Sequence, residues 1–434
     1  MSPVTDRLPV FPWDRLEPYK ATANGHPDGI VDLSVGTPVD PVPAAVQRAL
    51  ADAANSPGYP TVWGTVALRD AISGWVGRRL GAGEVTHAQV LPVVGSKELV
   101  AALPTQLGLG PGDLVAFPRL AYPTYEVGAR LARATPVAYD EDVFADEAKL
   151  AAFDPAGLKL LWLNSPSNPP GRVMSADELR RAVTWAREHG VLLVSDECYL
   201  ELGWEADPVS VLHADVCGGS FDGLLAVHSL SKRSNLAGYR AGGGGGGGRG
   251  GGGGGGPRRT ARRARRARPP PGLPGAGGGG PFAGLRAAHP LPTRPTLAGY
   301  RAACGAGDER VLRELLVIRK HSGLMTPAPV QAATVVALGD DTHVADQRER
   351  YLRRRKSLRG ALEAYGLRIE HSEASLYLWA TRDEPCWDTV GDLAARGILV
   401  APGDFYGPAG ERFVRVAVTA TDERIAAAVA RLGA

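Results

Sequence analysis

The sequence predicts an α/β protein whose mostly parallel central sheet is covered by helices, with a smaller α+β unit beside it. Three observations predict this. Short, continuous apolar runs recur at 88–94 (AQVLPVV), 112–118 (GDLVAFP), 158–164 (LKLLWLN), 191–197 (VLLVSDE) and 223–229 (GLLAVHS), as expected of strands buried on both faces. Between the third and fourth lies SADELRRAVTWAREHG (175–190), a helix with Ser175 as N-cap, Glu178 three residues on and Gly190 as its stop. A strand–helix–strand succession of this kind builds a parallel sheet. Beyond 307 the pattern changes: 308–323 and 344–366 read as long amphipathic helices, 375–380, 397–403 and 412–419 as strands, and the last 15 residues as helix. The expected organisation is an N-terminal arm (1–45) contributing to the smaller unit, a large unit (46–310) interrupted by a low-complexity insert (242–296), and the smaller unit (311–434).

Composition narrows the function classes. A chain of 434 residues with 44% hydrophobic and 22% charged content suits a soluble globular protein of two units. No run of about 20 apolar residues is present, so no membrane span is expected. The start, MSPVTDRLPVFPW, lacks a basic segment followed by an apolar one, so no secretory signal is expected. Cys198, Cys217, Cys304 and Cys386 are scattered with no CxxC pair; neither disulfides nor a metal site is expected, and a reducing cytoplasm fits.

The net charge is +3, yet residues 242–296 hold ten arginines and no acid, which leaves −7 on the remainder. The body is mildly acidic and no nucleic-acid partner is expected. Glycine fills fourteen of the fifteen positions 242–256, and PRRTARRARRARPPPGLPG follows. Such a segment cannot bury enough apolar surface to offset chain entropy and reads as disordered: a solvated loop or the product of a local reading-frame error, with an arginine-rich RNA-binding segment as the functional alternative.

In a doubly covered sheet, chemistry gathers beyond the C-terminal strand ends, where Asn164, Asp196 and Ser229 to Lys232 fall. Asp196 closes a buried strand, where an unpaired carboxylate is costly and calls for a cationic partner. Tyr199 lies three residues on. Lys232 follows another strand end among Ser229, Ser231 and Ser234. Gly95–Ser96 opens a helix after a strand, aiming free backbone N–H groups at an anion. A buried acid, a lysine nucleophile, an anion cradle and an arginine eight residues past the lysine suit pyridoxal 5′-phosphate (PLP), which carries a protonatable ring nitrogen, an aldehyde and a phosphate.

The phrases LSVGTPVDPVP, PGYPTVWG, GSKELV, AYPTYEVGA, LNSPSNPPGR, SDECYLELGW, HSLSKRSNLAGYR and RVAVT make the chain resemble the fold type I, class I/II PLP-dependent aminotransferases along nearly its whole length outside the insert. FPWDRLEPYKATANGHPDGIVDLSVGTPVDPVP, LAYPTYEVGARLA and HSLSKRSNLAGYRAG are most similar to actinobacterial N-succinyldiaminopimelate aminotransferases of lysine biosynthesis. The resemblance implies amino-group exchange between small amino and keto acids by a cytoplasmic homodimer. It implies that Lys232 forms the Schiff base and then shuttles the substrate proton, that Asp196 pairs with the ring nitrogen, and that Asn168 and Tyr199 bond the ring 3-oxygen. Tyr122 would stack on the ring, and Ser96, Lys97, Ser229 and an arginine would hold the phosphate, with Tyr59 reaching across from a partner subunit. Arg415 would clamp the substrate carboxylate by a planar two-point contact, and Gly36 would let the backbone approach it. Core packing for Tyr122, a surface role for Tyr59 and an ordinary ion pair for Arg415 remain open. Other amino-acid or acetylornithine-type aminotransferases, and a PLP-binding relative inactivated by the insert, are the alternatives.

Two departures from the family pattern stand out. Asn168-Pro169-Pro170-Gly171 replaces the usual Asn-Pro-Thr-Gly, removing an N–H and a hydroxyl. LAGYRA occurs at 236–241 and again at 297–302, bracketing the insert. The first copy keeps the spacing from Lys232, so Arg240 is the expected phosphate ligand by the shorter loop closure, with Arg301 as its rival.

Overall fold

In a computed structural model, residues 4–9, 11–236 and 303–433 are described. The insert, Arg240 and Arg301, and the expectations attached to them, lie outside the described residues. Seven strands form the large sheet: β1 (Val90–Val93), β2 (Leu114–Pro118), β3 (Thr135–Tyr139), β4 (Leu158–Asn164), β5 (Leu192–Asp196), β6 (Leu224–Ser229) and β7 (Ala303–Gly307). Their spatial order is β1-β7-β6-β5-β4-β2-β3. All neighbours are parallel except those of β7, which runs antiparallel to both β1 and β6. The five sequence-predicted strands are all present; β3 and β7 complete the sheet.

Alternation along each strand supplies two cores. Leu161, Leu163 and Leu193 face one buried cluster, and Leu160, Trp162 and Val194 face the other. Covering both faces leaves no reason for polar alternation, which is why these strands read as continuous apolar runs. The helix Ala176–Glu188 carries the expected reciprocal cap: the Ser175 hydroxyl accepts from the N–H of Glu178, whose carboxylate accepts from the N–H of Ser175. Gly190 follows with φ +65°.

The smaller sheet is antiparallel, in the order β10-β11-β9-β8, built from β8 (Arg368–Glu370), β9 (Tyr377–Thr381), β10 (Ala401–Pro402) and β11 (Phe413–Ala417). Its cluster includes Leu16 and Ala23 of the N-terminal segment, and Arg15 pairs with Asp404 at 2.9 Å. Val31–Asp32 pairs in parallel with Ile398–Leu399, so the N-terminal segment is stitched to this unit by backbone bonds. The helices Glu309–His321 and Ala328–Gly339 pack on the large sheet instead: Leu312 and Leu315 join one of its cores, Val330, Ala333 and Ala337 the other. These buried side chains fall within the segment 311–339 assigned to the smaller unit, and they pack against the large sheet. Amphipathic spacing marks a buried helix face but not the surface that covers it.

Candidate active site

The site lies where β4, β5 and β6 end. Register places Asn164 beside Asp196 and Asp196 beside Val227, and the chain leaves β6 through Ser229 into the one-turn helix Leu230–Arg233 that carries Lys232. The Ser229 hydroxyl caps that turn by accepting the Ser231 N–H at 3.2 Å.

Asp196 is 7% exposed. Its Oδ2 accepts the hydroxyl of Tyr125 at 3.0 Å and its Oδ1 the N–H of Cys198 at 3.2 Å. Burial pushes the carboxyl upward, against the opposing pull of those two donors and of Lys232. Its direct partners are thus neutral, and a cationic N–H donor at this position would restore the charged form. The amide of Asn164 donates to the Asp196 carbonyl at 2.9 Å, and its oxygen accepts the N–H of Asn168 at 2.8 Å. The loop 165–171, with cis bonds before Pro166 and Pro169, is in this way tied to the strand that ends in Asp196. The proline at 170 is absorbed: its carbonyl accepts from the N–H of Ser372 at 2.8 Å.

The Lys232 ammonium donates to the carbonyl of Gly36 at 2.8 Å and stands 5.9 Å from the ring of Tyr199. Gly36 is obligatory for a reason of space: a Cβ there would lie 2.3 Å from the hydroxyl oxygen of Tyr377. Arg415 is 3% exposed. Its guanidinium donates to Oδ1 of Asn168 and to the Ser34 carbonyl, both at 2.8 Å. It also sits 3.9 Å over the Tyr377 ring and 4.8 Å from the Tyr406 ring. Among the described residues no carboxylate pairs with it, and its Nε is buried without a hydrogen-bond partner. A buried cation left in this way is poised to take an anion.

The remaining predicted residues divide. The helix Ser96–Gln106 starts after Gly95 without a side-chain cap, and the Lys97 ammonium lies 5.6 Å from the Tyr122 ring. Tyr122 packs edge-on to Tyr125 at 6.2 Å, next to Asp196. Tyr59 is 96% exposed and is not brought to the other residues within this chain. Tyr125 and Tyr377 were not singled out from sequence, because a phenol on a helix or strand of apolar neighbours reads as core. Their signal is weak: Tyr125 falls three residues after Tyr122, and Tyr377 two before Trp379 in a strand.

A buried acid with neutral partners, a lysine within reach, a helix N-terminus and a carboxylate-ready arginine fit the ring nitrogen, aldehyde and phosphate of PLP in both charge and donor chemistry. Fold and site thus define a PLP-dependent aminotransferase. The sequence profile of "Aminotransferase class I and II" matches residues 28–246 and 296–432, and the chain belongs to this family. It is 52% identical to a "Probable aminotransferase" of Mycobacterium tuberculosis, over 99% of this chain and 86% of that protein. It is also 52% identical to the 4-dedimethylamino-4-oxo-anhydrotetracycline transaminase OxyQ of Streptomyces rimosus, over 98% and 99%. Among solved structures, an aminotransferase of Neisseria meningitidis superposes with a TM-score of 0.75 at 25% identity, covering 100% of this chain and 98% of that one. A Thermus thermophilus aspartate aminotransferase variant, at 21% identity and TM-score 0.76 over 99% and 98%, shares the fold.

Proposed function

We propose that this aminotransferase acts on N-succinyl-LL-2,6-diaminopimelate and 2-oxoglutarate, as a cytoplasmic homodimer in which Tyr59 serves the partner's site. The observation that supports carboxylate substrates is Arg415, buried and flanked by Asn168 and Tyr377 with no acid beside it among the described residues. The diaminopimelate skeleton is supported by the sequence phrases above and by LL-diaminopimelate aminotransferases at 25–28% identity, such as that of Aquifex aeolicus.

PLP, when bound, supplies an electron-accepting ring conjugated to the carbon that exchanges the amino group. The chain's own residues do the rest. Asp196, its carboxylate charged when it faces a cationic N–H, holds the ring nitrogen's proton in place. Lys232 would move the substrate's α-proton through its Nζ. Asn168 and Tyr199 would hold the ring oxygen, and Ser96, Lys97 and Ser229, with Arg240, would hold the phosphate. Arg415 fixes the α-carboxylate by two parallel N–H contacts and so sets which face of the substrate meets Lys232.

A second reading is favoured by the OxyQ relative, whose name specifies an oxo-anhydrotetracycline acceptor: the keto partner would be a polycyclic ketone. The two are separated by loading the enzyme with PLP, converting it with glutamate, and ranking acceptors by how fast each restores the visible absorption. Fastest restoration by N-succinyl-2-amino-6-oxopimelate supports the first reading; restoration by polycyclic ketones alone overturns it.

A further inference from the structure

The residue that joins the separate parts of this site is one to which no role has been given. Tyr377 is 3% exposed and touches three of them at once. Its ring lies 3.9 Å beneath the Arg415 guanidinium. Its hydroxyl is 3.0 Å from the hydroxyl of Tyr199. It also fills the space that any side chain at residue 36 would need, beside the carbonyl that accepts from Lys232. The sheet makes this possible. Tyr377 opposes Ala417 and Arg415 opposes Trp379 across the antiparallel β9–β11 pair, so Tyr377 and Arg415 are diagonal neighbours on one face, within reach of long side chains.

We infer that Tyr377 is a positioning residue with two separable parts: its ring seats Arg415 for the substrate carboxylate, and its hydroxyl donates to Tyr199, leaving the Tyr199 proton free for the cofactor's ring oxygen. The polarity follows from the surroundings. Tyr377 has the Arg415 cation against its ring, and the positive field of an adjacent guanidinium makes a phenol the stronger donor of a pair. The acidities run the same way. Burial pushes both phenols up and the Arg415 charge opposes it at both, with the Lys232 charge added at Tyr377. Tyr199 therefore accepts from Tyr377 and keeps its own O–H to give. The inference rests on the proposed placement of Tyr199 and Arg415, and the experiment separates the two.

The PLP-loaded enzyme and its Tyr377→Phe, Tyr377→Ala and Tyr199→Phe variants are compared in two readouts: the pH midpoint of the visible cofactor band, and the dissociation constant for succinate as a carboxylate probe. Negative charge on the ring oxygen is greatest after the yellow form loses its proton, so a donor to that oxygen lowers the midpoint. Tyr377→Phe, which weakens that donor by one hydrogen bond, raises the midpoint by about half a unit to one unit, while succinate binding stays within about threefold because the ring remains. Tyr377→Ala removes the seat as well and weakens succinate binding by about tenfold or more. If Tyr199→Phe moves the midpoint but Tyr377→Phe leaves it within about 0.2 unit, the hydroxyl role is overturned. If the Phe and Ala variants weaken succinate equally, the ring role is overturned. An unmoved midpoint in Tyr199→Phe overturns the placement of Tyr199 itself, and the relay with it.

Discussion

The hydroxyl of Tyr125 donates at 3.0 Å to Oδ2 of Asp196 at the end of β5. Packing fixes Tyr125 in this orientation, since its ring stacks on Trp162 at 5.0 Å and is 1% exposed, so the phenol has no freedom to turn away. Two substitutions rank what the pair contributes. Asp196→Asn removes the charge proposed to answer the ring nitrogen, and the expected loss in kcat/KM is at least about 100-fold. Tyr125→Phe removes one neutral donor and costs about 3- to 30-fold. Steady-state kinetics with glutamate checks both; a larger loss in Tyr125→Phe than in Asp196→Asn contradicts the assignment of Asp196.

Gly36→Ala forces a Cβ to within 2.3 Å of the Tyr377 hydroxyl oxygen. Either Tyr377 shifts or the segment carrying the Lys232 acceptor does, and overpacking of this sort costs about 1–3 kcal/mol. Thermal unfolding of the variant detects the loss, and a double variant with Tyr377→Ala recovers part of it relative to Tyr377→Ala alone, because the hydroxyl and ring atoms at 2.3 to 2.6 Å are then gone. No recovery contradicts the contact.

Much of this arrangement was legible in the sequence, and the reasons are physical. Strands covered on both faces leave continuous apolar runs, so Asn164, Asp196 and Ser229 could be placed at strand ends and hence at one edge of the sheet. Ser175 and Glu178 announced their helix because a capping box is a local device. Long-range partnership was not legible. Arg415 and Asn168 are 247 positions apart, and the carbonyl of Ser34, a backbone acceptor that every residue possesses, carries no signature. Tyr125 and Tyr377 were hidden because a phenol's bulk suits a core as well as its hydroxyl suits a site. The strand Thr135–Tyr139 was missed for its short, mixed TPVAY, at the edge of the sheet.

Arg415→Lys keeps the charge but replaces a planar fork with a single point donor that cannot serve Asn168, Ser34 and a carboxylate together. Its expected effect is an increase in KM for both glutamate and 2-oxoglutarate of about 30-fold or more, roughly 2 kcal/mol. Equal KM values in the variant and the parent enzyme contradict the clamp.

Glu197, next to Asp196, gives a pH prediction. It is 2% exposed, accepts from Ser210 and the N–H of Val211 at 2.7 Å, and lies 3.4 Å from the ring of His228. Burial raises its carboxyl to about 7 and lowers His228 to about 3. A carboxyl with a raised folded value contributes most below its unfolded value and loses that contribution as pH rises to the folded one. The Glu197→Gln variant does not titrate here, so its stability relative to the parent rises between about pH 4.5 and 7 by on the order of 3 kcal/mol and is level above that. Unfolding temperatures across that range check it; a constant difference contradicts a neutral buried Glu197.

Aminotransferase chemistry centred on Lys232 is tested most directly by the visible absorption of the purified protein with PLP, before and after glutamate, beside Lys232→Ala. The expected result is a yellow band in the parent enzyme that glutamate bleaches and a keto acid restores, and no such cycle in Lys232→Ala. A band that glutamate leaves unchanged, or a cycle that survives the loss of Lys232, would contradict it.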